Sequence, residues 1–255
     1  MMLTQKFLLA MGQKQEEAMV EDLVLEFKKL FPKRCRILGD THLKTVIRHC
    51  QKRASIYGYT HSDELSKYIT LAFYLGTYFD EDPLYPWIQE ILRENSSLGV
   101  RLDNLNKKFL TLINTSMGED FSLMIEAFDK FLHIKKESLN NLKDHNEIVQ
   151  ILTAIYPQRM QIIGRKNFRS IIEAQYDKLK RYNIYTPLGV YVHASVVFLL
   201  GSKVDADPLY AWVGKYLNAS YLSQEEKLDI LYEKTMHRVR KELKDLIKIQ
   251  KKENV

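Results

Sequence analysis

Glycine and proline are scarce in this chain, 10 and 6 among 255 residues. An extended all-β fold needs more turn residues than that, so the composition favours helices. Cysteine is rarer still. Cys35 and Cys50 are the only two, which excludes a disulfide-stapled scaffold and fits a reducing cytoplasm. No apolar run approaches the roughly 18 residues of a membrane span; the longest, Val190 to Leu200, is broken by His193 and Ser195. Phe7-Leu8-Leu9-Ala10-Met11 is too short for a signal h-region, so Ala10-Met11-Gly12 is not read as a cleavage site. Glycine-rich phosphate loops, His-Glu-x-x-His, paired Cys-x-x-Cys and nucleophile elbows are all missing. These absences point to a soluble, cytoplasmic helical protein for which no cofactor and no metal is expected.

The 45% apolar and 27% charged fractions are those of an ordinary globular chain. The formal charge of +6 is unevenly placed: between Lys234 and Lys252 stand eight Lys or Arg and two acidic residues, so the rest is close to neutral. Attraction to a polyanion would therefore come from the C-terminal stretch.

Shifting the chain by 125 residues brings long stretches into register. Leu30-Phe31-Pro32-Lys33-Arg34 falls on Ile155-Tyr156-Pro157-Gln158-Arg159, Ile37-Leu38-Gly39 on Ile162-Ile163-Gly164, and Tyr57 on Tyr182. Asp80-Glu81-Asp82-Pro83-Leu84-Tyr85-Pro86-Trp87 falls on Asp205-Ala206-Asp207-Pro208-Leu209-Tyr210-Ala211-Trp212. The reading is an all-α fold made by tandem duplication of a multi-helix unit, packed as one elongated or bilobed body. Its parts are a first repeat over 1–116, a connecting helix and turn over 117–143, and a second repeat over 144–255 with a basic C-terminal helix.

Local signals outline the unit. Apolar spacing predicts a helix over Glu16–Leu30 that Pro32 ends. Asp40 or Thr41 can cap the next helix, and Thr60 with Asp63 resembles a capping box. Thr186 followed by Pro187 does the same in the second half. Gly76 and Gly201 stand where a left-handed C-cap is wanted. Asp82 and Asp207 are candidate N-caps, each followed by proline at the first helical position. Phe121 to Ile134 reads as the connecting helix, ending near Asn140-Asn141, and Glu225 to Lys252 as an amphipathic terminal helix.

Candidates for chemistry are few. Asp80 with Asp82, and Asp205 with Asp207, could hold a cation or act as acid and base. A calcium loop needs more oxygens, however, and Glu81 is matched by Ala206. Arg34 and Arg159 are basic at matching positions. Pairing Arg34 with Asp80 and Arg159 with Asp205 would tie two loops; solvated turn residues are the other reading. His193, in an apolar helix, reads as a hydrogen-bonded core histidine. Arg238, Arg240, Lys241 and Lys244 form the basic face of the last helix, which either stays solvated or meets an acidic partner.

The segments Arg53-Ala54-x-x-Tyr57-Gly58-Tyr59-Thr60 and Leu75-Gly76-x-x-Phe79-Asp80-x-Asp82-Pro83-x-x-Pro86-Trp87 resemble uncharacterised small helical proteins encoded near type VI secretion spike and effector genes in Gram-negative bacteria. The resemblance covers about Leu30 to Leu92, with Tyr59 where the group has Ile. The second half keeps Tyr182, Leu200-Gly201, Asp207-Pro208 and Trp212 but has Asn183 and Ala211 where glycine and proline are usual. It implies a non-enzymatic accessory that binds a secreted effector or spike-associated protein as adaptor, chaperone or immunity partner. Two other readings stand beside it: a nucleic-acid-associated protein using the basic C-terminal helix, and an enzyme using the Asp pairs.

Overall fold

The computed structural model describes residues 2–139 and 142–253. They form an all-helical chain, with no strand among the described residues. The expected end of the connecting helix at Asn140-Asn141 lies outside them.

The first run comprises α1 (Met2–Leu30), α2 (Pro32–Leu38), α3 (Asp40–Ser55), α4 (Ser62–Leu75), α5 (Pro86–Leu92) and α6 (Leu98–Met117). After α7 (Ser122–Leu132) come α8 (His145–Ile155), α9 (Pro157–Ile163), α10 (Arg165–Arg181), α11 (Pro187–Leu200), α12 (Ala211–Leu217) and α13 (Gln224–Glu253). Several helix starts recur 125 residues apart: α2 with α9, α3 with α10, α4 with α11, and α5 with α12.

Proline and glycine set many of these bounds. Pro32 and Pro157 occupy the first position of α2 and α9, where a missing N–H costs nothing. Thr186 caps α11 by accepting from the Gly189 N–H, with Pro187 behind it. Four expectations shift. The helix placed at Glu16–Leu30 extends back to Met2. Asp40 lies in the first turn of α3 and bonds Lys28 at 2.8 Å instead of capping. At the start of α4 the reach-back comes from Glu64, which accepts from the Thr60 and His61 amides at 3.3 and 3.4 Å, and not from Asp63. Gly76 and Gly201 have positive φ, 99° and 113°, but ψ of 154° and 157° is extended and not left-handed helical.

One contiguous set of buried side chains runs through both halves. Val20, Leu23 and Phe27 of α1 meet Leu43, Val46 and Ile47 of α3, the spacing of apolar faces turned toward each other. Helix α11 is apolar all round and buried from Gly189 to Phe198. The buried Leu228, Leu231, Val239 and Leu243 of α13 seal this core, with α13 packing on α7, α11 and α12. Both cysteines are buried free thiols.

Candidate functional site at the crossing of the two motifs

The ends of α4 and α11 abut, and the loop after each reaches into the other half. Asp82 accepts from the Leu84 N–H within its own turn at 2.9 Å and, through its second oxygen, from the Ser202 N–H at 2.9 Å. Asp207 likewise accepts from the Leu209 N–H at 2.8 Å, and from the Thr77 N–H at 2.7 Å and hydroxyl at 2.9 Å. Each carboxylate thus caps its own turn and stitches it to the opposite helix end. Burial pushes both carboxyls up, while these N–H donors hold them down. The two Asp are caps, as their sequence position suggests. Each caps a short turn and not the α-helix itself, which begins four residues later, at Pro86 in the first half and at Ala211 in the second.

Nearby contacts repeat the exchange. His42 of α3 meets the Pro208 carbonyl at 2.6 Å, and Asn167 of α10 donates to the Pro83 carbonyl at 2.8 Å. A methyl group at Gly76 would sit 3.0 Å from Asp207 Oδ2, and one at Gly201 would sit 3.0 Å from Asp82 Oδ2. Only glycine permits so close a crossing at positive φ.

The predicted Arg34–Asp80 and Arg159–Asp205 pairs do not form. Asp80, fully buried, receives a two-pronged bond from Arg53, both arms at 2.8 Å, and a third from the Tyr57 hydroxyl at 3.0 Å. Asp205 receives Lys178 and the Tyr182 hydroxyl, each at 2.6 Å. Burial raises Asp205, but these two donors outweigh it and hold the carboxyl below its ordinary range. Arg53 and Lys178 lie one helix away on α3 and α10, so each acidic residue is closed within its own half. The signal was available: both basic residues stand 27 positions before their aspartate.

Arg34 and Arg159 instead cap helix ends. Arg34 donates to the Phe73 carbonyl of α4, and Arg159 to the Phe198 carbonyl of α11 at 2.6 Å. Arg34 also crosses to the other half, donating to the Tyr210 hydroxyl at 2.7 Å, while Arg159 lies 5.9 Å from the Tyr85 ring centre. Arg238 of α13 also stands at this junction, 5.1 Å from the Tyr210 ring centre, where Arg34 is 5.4 Å away. All three arginines line a cavity of about 230 Å³ between the halves, with Leu112, Met124, Phe128 and Leu199 in its apolar wall.

The remaining basic residues, Arg240, Lys241 and Lys244, are exposed and do not join them. The ion pairs of this stretch are Arg238 with Glu242 and Asp245 with Lys33, both at 2.9 Å. His193 is buried as expected, yet its Nε2 has no hydrogen-bond partner, and burial pushes its pKa down to about 4. Among the described residues no three His, Cys, Asp or Glu converge into a metal-holding group. No described helix is long and apolar enough to cross a membrane.

No family model matches the chain, and no curated protein or solved structure matches it either.

Proposed function

We propose that this chain is a tandem duplication of one helical unit and serves as a non-enzymatic, cytoplasmic interaction protein, an adaptor, chaperone or immunity accessory of a type VI secretion effector. The secretion role rests on the motif resemblance over Leu30 to Leu92. The non-enzymatic reading is supported by the engagement of all four motif carboxylates: Asp80 and Asp205 face cations and tyrosines, Asp82 and Asp207 face backbone amides. A general base needs a lone pair within reach of substrate, and these buried carboxylates, with structural donors on both oxygens, are poorly placed to offer one.

The observation that carries protein binding is on α1. Phe7, Leu8, Leu9 and Met11 are all more than half exposed, at 63%, 64%, 63% and 56%. Scattered apolar residues on a surface are ordinary, but several together mark a protein contact. Pull-down with the purified product of the adjacent secreted-effector gene tests the reading. Retention by the native chain, weakened at least tenfold in Phe7→Ser/Leu8→Ser, is expected. No retention, or no such neighbouring gene, removes it.

The exposed Arg240, Lys241 and Lys244 favour nucleic acid as the second reading. Three phosphate contacts would make duplex affinity fall about 40-fold between 50 and 200 mM salt. Effector retention through an apolar patch stays nearly level over the same range.

A further inference from the structure

The cavity between the halves carries a charge imbalance that the fold does not resolve. Arg34, Arg159 and Arg238 reach it, and Glu242 is the one carboxylate in its lining. Glu242 is matched to Arg238, and even that contact is imperfect. Nε of Arg238 lies 2.9 Å from the carboxylate, yet it is buried without hydrogen-bond geometry to any acceptor. Two of the three guanidiniums flank a single ring, that of Tyr210, at 5.4 and 5.1 Å from its centre. The carbonyls of Phe73 and Phe198 answer Arg34 and Arg159 only with the partial charge of a helix C-terminus, about half an elementary charge each. Arginine cannot lower this cost by losing its proton. An anion placed here would therefore be stabilised by pre-positioned donors in a partly desolvated setting.

The rest of the wall determines what the anion is attached to. Leu112, Met124, Phe128 and Leu199 form an apolar stretch of this wall, and methionine adapts to the shape of an apolar guest; the Ser116, Tyr156 and Thr235 hydroxyls beside it already donate to carbonyls of the protein. A free inorganic anion would leave that wall unfilled. From this we infer that the cavity is a binding site for a small organic carboxylate on an apolar body. The carboxylate lies among the three arginines, and the apolar body lies against the Met124–Phe128 wall of α7. Such a site would also couple the halves, since Arg34, Arg159 and Arg238 come from α2, α9 and α13.

Calorimetric titration of the whole chain with octanoate, octan-1-ol and inorganic phosphate separates the possibilities. Octanoate should bind with one-to-one stoichiometry and at least tenfold more tightly than the alcohol or phosphate. Arg159→Met and Arg238→Met should each weaken octanoate at least tenfold, and Met124→Trp, which fills the cavity, should abolish binding. The inference is overturned if octanoate does not bind, if the alcohol or phosphate binds as well, or if both arginine variants bind octanoate unchanged. Should Arg159→Met fail to fold because its helix-end bond is lost, Arg238→Met, on the half-exposed side of α13, decides the matter.

Discussion

Asp80 and Asp205 occupy equivalent places in the two motifs but are held by different partners, and this difference sets their worth. Asp80 is fully buried against Arg53, whose side chain is 13% exposed, whereas Lys178 beside Asp205 is 31% exposed. Removing one member of a buried pair strands the other, at a cost of about 3–5 kcal/mol. A partly solvated lysine loses far less, about 1 kcal/mol. Asp80→Asn should therefore lower thermal stability clearly more than Asp205→Asn, a comparison that denaturant titration checks. His193 makes stability depend on pH. Its folded pKa of about 4 lies below the ordinary 6.5, with burial the first cause and Asp205 and Lys178 the charges acting on it. Folding favours its neutral form, so its contribution is complete above 6.5 and is lost as pH falls toward 4, about 3 kcal/mol in all. Asp82 and Asp207, with folded pKa values raised by burial, shift the opposite way on acidification. Chemical denaturation at pH 7 and pH 4 of the native chain and of His193→Leu isolates the histidine: the native chain should lose about 3 kcal/mol relative to the variant.

Helices α4 and α11 meet end to end through their terminal glycines, and this crossing tolerates no side chain. Gly201→Ala would force a positive φ of 113° on alanine and set its Cβ 3.0 Å from Asp82 Oδ2 and 3.3 Å from the Leu75 carbonyl. A loss of about 2 kcal/mol or more is expected. Gly99→Ala in α6 meets nothing within 4 Å and should instead stabilise by about 0.5 kcal/mol. Comparing their melting temperatures tests whether the crossing, and not glycine in general, is the constraint. At this scale much was legible in sequence. Pro32 marks the end of α1 and Thr186-Pro187 the start of α11 because their effect is local. The start of α5 was not legible, since Pro83 and Pro86 are equally suited to a first helical turn. In the structure the turn containing Pro83 is held to the far half, by Ser202 on Asp82 and by Asn167 on the Pro83 carbonyl, and the α-helix begins after it. The same limit hid the destination of Arg34. Its recurrence at a matching position in both halves suggested Asp80, but its hydroxyl partner, Tyr210, lies 176 residues away.

Across the whole molecule, the Asp-x-Asp-Pro-Leu-Tyr-x-Trp segments act as reciprocal ties. The first aspartate of each closes its own half, and the second reaches the other half. Helix α13 then covers the junction and brings Arg238 to the cavity. The recurrence of the motif along the chain was visible at the sequence level; that each segment ties into the opposite half was not, because a shift comparison reveals likeness and not contact. Hydrogen exchange at the Thr77 and Ser202 amides of Asp207→Ala and Asp82→Ala tests this mutual tie most directly. The account predicts that Asp207→Ala lowers protection of Thr77 at least tenfold relative to its α4 neighbours and leaves Ser202 intact, with Asp82→Ala doing the reverse. Unchanged protection at both amides, with losses confined to Leu209 and Leu84 beside the substituted residues, would contradict it.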